Sequence, residues 1–213
     1  MFKLTNADNV ALNNSDRAYF CNKGAKLYGE KKYKDAIEYY RIAMALEDVQ
    51  SISNIGYCYL YARDIEKNVD LAIAYFKIAA HYGNLDATYK LGNIYELGED
   101  IEKDNEIAAY YYEKGIKIYE EADCSEQYEY RHRYPSLFLA IGRGHMKNGI
   151  LYTDIEQAYK YLKLAKEGFE TALEEGFDHY KDHYEETVKL LDDSCFEKIK
   201  AEEQEDDYNE EDE

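Results

Sequence analysis

Residues 71–98, LAIAYFKIAAHYGNLDATYKLGNIYELG, constrain the fold most, because they spell one amphipathic helix, a two-residue turn and the start of a second helix. Ala72, Tyr75, Phe76 and Ala79 stand at i, i+3, i+4 and i+7, the spacing of one face of a 3.6-residue period. Gly83 can adopt the left-handed conformation that ends a helix, and Asn84 can cap the free N–H groups of the next one. So short a turn makes the two helices pack antiparallel.

The same helix face recurs along the chain. Ala36, Ile37, Tyr39, Tyr40 and Ala43 match Ala72, Ile73, Tyr75, Phe76 and Ala79, then Ala108, Ala109, Tyr111, Tyr112 and Gly115, then Ala158, Tyr159, Tyr161, Leu162 and Ala165. A glycine precedes each of these faces: Gly24, Gly56, Gly92 and Gly142. Glycine inside a helix costs about 1 kcal/mol relative to alanine, so its recurrence calls for a shared packing reason. The expectation is a close crossing in which glycine on the first helix meets a small residue on the second. The second and third copies start 36 residues apart. A helical unit repeating at that period implies a solenoid, here an all-α superhelix of about four antiparallel helix pairs.

The first copy, with Gly24, Tyr28, Ala36 and Ala43, resembles a tetratricopeptide repeat. The other copies, with a longer loop between their helices, resemble Sel1-like repeats. The third copy carries the resemblance most fully, in Ala87, Leu91, Gly92, Tyr95, Gly98, Lys103, Asp104, Ala108, Tyr111 and Tyr112. Ala62 and Asn148 replace Gly98 in the second and fourth copies, and His145 replaces Tyr95 in the fourth, departures that bear on loop geometry. The resemblance implies that the first helix of each pair lines a concave surface. Positions three before and one after the repeat glycine then point into it: Cys21 and Ala25, Ser53 and Tyr57, Tyr89 and Asn93, Leu139 and Arg143. Chaperone-tail adaptors among tetratricopeptide proteins clamp a carboxylate with Lys and Asn at such places. Only Asn93 matches, without the adjoining Lys, so the clamp does not carry over. Some Sel1-like proteins are cysteine-rich and linked to β-lactam hydrolysis, but the regular cysteine pair of that group is missing here.

Around this array the chain divides into an Asn-rich, loosely held arm over 1–16, repeats over 17–175, a capping helix within 176–200 and an acidic tail over 201–213. Ala108 and Ala158 are 50 residues apart, 14 more than the repeat spacing, which places an insertion around 116–134. An elongated helix and a short linking helix or loop fit there. Pro135 then suits the first turn of the following helix. The cap is expected as one helix from about Tyr180 to Ile199, with Tyr184, Val188, Leu191, Cys195 and Ile199 on its apolar face. The tail buries too little apolar surface to order and reads as disordered.

The charge of −19 includes nine acidic residues in 201–213, which leaves −10 for residues 1–200. An acidic body argues against binding a phosphate backbone or an anionic membrane surface, both of which need clustered Lys and Arg. Cysteines 21, 58, 124 and 195 have neither disulfide-scaffold nor metal-ligand spacing, and Cys58 falls on an apolar helix face. The first residues hold no apolar run of signal-peptide length, and no segment reaches the roughly 18 apolar residues of a membrane span. A soluble, cytoplasmic protein is expected.

His179 and His183 stand four apart near Asp178, Asp182 and Glu186, the spacing at which two imidazoles on one helix can share a metal. Position two of an HExxH motif is Tyr180, so the general base of a zincin is missing. A metal-binding or hydrolytic protein using this helix is the alternative reading. The leading one is a non-enzymatic scaffold without a cofactor, which binds a protein or peptide on its concave surface. Tyr57, Tyr61, Tyr89, Asn93, Glu96 and Arg143 are the candidate binding residues, and the acidic surroundings favour a neutral or basic partner. The same tyrosines could instead seal contacts between neighbouring repeats.

Overall fold

The computed structural model describes residues 2–210, with side chains as far as residue 203. Among the described residues all regular structure is helical, with no strand. The chain divides into two compact units, 1–104 and 105–213.

The first unit contains α1 (Asn6–Asn13), α2 (Arg17–Gly29), α3 (Tyr33–Ala45), α4 (Val49–Leu60), α5 (Val69–His81) and α6 (Leu85–Leu97). Consecutive helices from α2 to α6 pack against one another, so each hairpin leans on the next. Helix starts are capped by side chains: Asp16, Asp48, Asn68 and, as expected, Asn84 each accept the backbone N–H three residues on. Gly83 has φ +80°, as the turn before Asn84 requires. Between α3 and α4 the core is Ala36, Ile37, Tyr40, Ile55 and Cys58, so Cys58 is the small core residue its helix face suggested.

The N-terminal segment departs from the expected loose arm. Thr5 and Asp8 form a reciprocal capping box at the start of α1. Asp8 is fully buried and accepts from the Thr5 N–H at 2.7 Å, the Tyr19 hydroxyl at 2.9 Å, the Tyr39 hydroxyl at 2.9 Å and the Lys23 ammonium at 2.6 Å. Burial opposes its ionisation, yet the Lys23 ion pair and these donors outweigh burial and hold the carboxyl far below the usual range. An Asn-rich composition looks like a loop until one buried acid is seen to tie α1 to α2 and α3.

At Gly24, Gly56 and Gly142 the nearest atoms belong to a large side chain, and the expected close backbone approach is seen at two of them, with Ala36 O 3.3 Å from a Cβ on Gly24 and Leu162 N 3.0 Å from one on Gly142. A Cβ on Gly24 would lie 2.6 Å from the Tyr40 ring, one on Gly56 2.8 Å from the Phe76 ring, and one on Gly142 2.7 Å from Leu162 Cγ. Each facing residue stands four after the column alanine, so the glycine makes room for a large side chain that fills the hairpin. The loop after each first helix is also kept where its glycine is not. Ala62, Gly98 and Asn148 all have positive φ, at 52°, 65° and 68°. Asn68, Asp104 and Asp154 donate their N–H to the carbonyls of Tyr59, Tyr95 and His145, the same nine-residue closure three times.

The second unit contains α7 (Asn105–Glu121), α8 (Cys124–Arg133), α9 (Pro135–His145), α10 (Ile155–Glu174), α11 (Lys181–Leu191) and α12 (Glu197–Glu210). The insertion is the end of a 17-residue α7 followed by the ten-residue α8, and Pro135 opens α9. Phe138 stacks on Tyr161 and meets Tyr119 edge-on, joining α7, α9 and α10. Gly168 lets α8 approach α10, since a Cβ there would collide with the Arg131 carbonyl.

The expected single cap helix is broken. α11 stops at Leu191, and a 3-10 turn at Ser194–Phe196 follows, because the Asp193 carboxylate takes the Cys195 N–H at 2.9 Å and starts a new turn. Cys195 is therefore exposed, and Phe196 takes the buried place beside Tyr159. The backbone of 201–210 continues α12 as helix, and residues 211–213 lie outside the described residues. Glu203 gives a physical reason, since it takes the Lys163 ammonium at 2.8 Å and the Tyr159 hydroxyl at 3.0 Å and so holds the start of the tail on α10.

Candidate functional site

α4 and α6 are first helices of neighbouring repeats and lie side by side in the first unit. Asp86 on α6 accepts the Ser53 hydroxyl at 2.9 Å and the Tyr57 hydroxyl at 2.8 Å, both from α4, and Asn84 donates to Gln50 at 3.0 Å. Ser53 and Tyr57 are one turn apart, so a single carboxylate can hold both. Burial, with the Asp86 carboxylate next to it, pushes the Tyr57 hydroxyl well above its ordinary pKa. Tyr57 therefore stays a neutral donor. It also meets Phe76 edge-on at 5.0 Å. Tyr57 is thus tied into the contact between repeats, which is the sealing role, and its hydroxyl already has a partner.

Tyr61, at the C-cap of α4, is 47% exposed and stacks on Tyr57 with 6.1 Å between centroids. Tyr89, Asn93 and Glu96 on α6 are half-buried, and their i, i+4, i+7 spacing places them on one face. Lys90, next to Tyr89, reaches back to the α4 tyrosines and donates to the Tyr61 hydroxyl at 3.3 Å. These five candidates share the surface of two adjacent helices. Arg143 belongs to the second unit, on α9, where it donates to Glu186 of α11 at 3.2 Å. Lys90 is not among the sequence-predicted residues, because it stands at neither of the two steps from Gly92 that point into the concave surface.

His179 and His183 do not share a helix. His179 lies in a 3-10 turn at Asp178–Tyr180 and His183 in α11. Both are exposed and packed against rings: His179 lies 4.2 Å from Tyr180 between centroids, and His183 lies 5.9 Å from Phe169. Among the described residues no three His, Cys, Asp or Glu side chains are grouped to hold a metal. His179 instead lines an open groove of about 560 Å³ with Tyr128, His132, Phe177 and Tyr180. The insertion builds this groove through α8, and the aromatic residues within 116–134 were its only trace in the sequence. A second groove, of about 790 Å³, runs along α10 and α11 between Tyr159, Lys163, Leu191 and Glu203.

Tandem helical hairpins with a glycine at the α2–α3, α4–α5 and α9–α10 crossings and one recurring loop closure define a helical-repeat protein of the α-solenoid class. Four matches to the Sel1 repeat, at residues 16–48, 49–84, 85–117 and 138–168, show that the chain belongs to the Sel1 repeat family. Members of this family generally serve as scaffolds for protein–protein interaction. Among solved structures the chain is similar to a Sel1 repeat protein from Oxalobacter formigenes, 19% identical with a TM-score of 0.55 over 71% of this chain and 58% of that one. It is also similar to c5321, a protective antigen of uropathogenic Escherichia coli with an SLR fold, 16% identical with a TM-score of 0.47 over 80% of this chain and 42% of that one. The chain thus spans less than two thirds of the length of either. No curated protein matches its sequence. Among the described residues no helix is long and apolar enough to cross a membrane.

Proposed function

We propose that this chain is a non-enzymatic scaffold that binds a neutral or basic segment of a protein partner on the α4–α6 face of its first unit. The observation that carries the reading is the exposed Tyr61 beside Tyr89, Asn93 and Glu96 on two helices locked together by Asp86. Locking matters because a rigid face loses little entropy on binding, and tyrosine offers a large contact area with a hydroxyl at its tip. Asp86 and Glu96 favour a cationic or uncharged segment over an acidic one. The division of labour follows from the packing: Tyr57 holds the face together, whereas Tyr61 and Tyr89 supply contact. Arg143, on α9 of the other unit and paired with Glu186, is not part of this face. Cys58, a free thiol buried in the core, fits a reducing, cytoplasmic setting.

The test is affinity capture with the full chain, followed by mass spectrometry and titration of the captured partner. Tyr61→Ala and Tyr89→Ala should each weaken binding by at least about 1 kcal/mol. Tyr61→Ala should leave the urea midpoint nearly unchanged, because the ring is half exposed. A captured partner whose affinity ignores both substitutions would refute the assignment.

A further inference from the structure

Residues 118–137 lie between the third and fourth Sel1 matches and contain α8, so the repeat pattern does not account for that helix. α8 forms one wall of the groove of about 560 Å³, where Tyr128 and His132 stand one turn apart with 4.2 Å between ring centroids. The His132 Nδ1–H donates to the Tyr128 carbonyl at 2.6 Å, which fixes the imidazole. The other wall is the turn after α10. There Gly176, at φ +89°, donates its N–H to the Leu173 carbonyl at 3.0 Å, and Phe177 donates to that of Ala172 at 2.9 Å. These are the paired bonds of a Schellman motif, so the backbone at Phe177 is fixed. Tyr180 is held against the buried Phe169 ring, with 5.4 Å between centroids. Tyr128 is nevertheless 59% exposed and Phe177 48% exposed. Rings thus rise from both walls, and α10 supplies only Thr171 and Ala172 between them.

We propose that this groove binds a proline-rich segment of a protein partner, with a lysine or arginine next to its prolines. Three features select that occupant. Proline rings in the polyproline II conformation stack on aromatic side chains, and the carbonyls of that helix are free because it has no internal hydrogen bonds. Tyr128 and His179, both exposed, can donate to those carbonyls. The rim carries negative charge, since Glu129 pairs with Arg133 at 3.2 Å and the exposed Glu175 is left to meet a cation.

Other modes of peptide recognition fit less well. Strand addition needs a sheet edge, and the described residues contain no strand. A helix laid in a groove needs an apolar trough for anchors at i, i+4 and i+7, which Thr171 and Ala172 do not provide. A polyproline II segment is ordered before it binds, and walls fixed by the Schellman turn and the His132 contact lose little further freedom. The site lies wholly in the second unit and is independent of the α4–α6 face.

The probe is a fluorescein-labelled hexaproline peptide with one arginine at its end and no free terminal charge, titrated with the full chain and read by fluorescence anisotropy. A glycine–serine peptide of the same length and charge is the reference. The proline peptide should saturate with an affinity about fivefold or more above the reference, and Tyr128→Ala and Phe177→Ala should each weaken it by about fivefold or more. Glu175→Gln should weaken it about twofold at low salt and have no effect at high salt. Both ring residues are exposed, so circular dichroism of their variants should match the parent. Thr171→Arg, which fills the groove from α10 and leaves the rings in place, should also block binding. The absence of saturable binding, or equal binding of the two peptides, would overturn the proposal, as would binding that survives Tyr128→Ala, Phe177→Ala and Thr171→Arg. Tyr61→Ala should leave peptide affinity unchanged, and a loss there would put the peptide on the α4–α6 face and overturn the assignment to this groove.

Discussion

Replacing Asp8 by alanine should destabilise the first unit by about 3 kcal/mol, because one buried carboxylate serves four separate side chains and a helix N-terminus. Removing one member of a buried ion pair costs about 3–5 kcal/mol, mostly through the charge left unpaired. The Lys23 side chain keeps 28% of its exposure, so its ammonium can recover some hydration, which favours the lower end of that range. Tyr39 is 5% exposed and its hydroxyl would lose its acceptor. The assay is urea unfolding followed by circular dichroism and tyrosine fluorescence, with Asp8→Ala, Lys23→Met and the double variant forming a cycle. A coupling of at least about 1 kcal/mol is expected between the two sites. The pH dependence supplies an independent check. The folded pKa of Asp8 is depressed, so its contribution is complete above the unfolded carboxylate value of about 3.9 and is lost as pH falls from there towards the folded value. The stability gap between parent and Asp8→Ala should therefore narrow as the solution is acidified below about pH 4. A loss under about 1 kcal/mol at neutral pH, or a gap that does not change with acid, would refute the idea that Asp8 anchors α1.

Gly56→Ala should destabilise by about 1 kcal/mol or more in urea melts, since overpacking against the buried Phe76 ring outweighs the helix propensity that alanine adds. Ala62→Gly should raise stability by about 0.5–1 kcal/mol by relieving the positive φ, and a destabilised variant would mean that the loop does not hold that conformation. Deleting residues 201–213 should cost less than about 1 kcal/mol, because the Glu203–Lys163 pair it removes is half exposed, and the small effect should vanish in high salt. Tyr57→Ala should lower the melting temperature, whereas Tyr61→Ala should not, a contrast measurable by scanning calorimetry and set by the buried Tyr57 hydroxyl on Asp86.

Helix periodicity, capping residues and the repeat glycines are local properties, and they announced the α2–α3, α4–α5 and α9–α10 hairpins and the lengthened α7, while leaving α8 open as a short helix or a loop. Such features can be read because each depends on residues within a few positions of one another. What faces a repeat glycine depends on how two helices cross, and there the side chain four beyond the column alanine prevails over the alanine itself. The arm became α1 for a similar reason: Asp8 meets Tyr19, Lys23 and Tyr39 across 11, 15 and 31 residues, contacts that composition cannot show. The break between α11 and α12 turned on one local cap, Asp193, which the apolar period over 180–199 concealed. Tyr57 and Tyr61 stand four apart on one helix and look alike as a sequence pair. Their roles diverge because Asp86 of the next repeat lies within reach of the Tyr57 hydroxyl, while Tyr61 remains half exposed beside Lys90. Local order thus follows from neighbouring residues, but the division between a structural tyrosine and an available one is made by side chains that meet only when separate repeats pack.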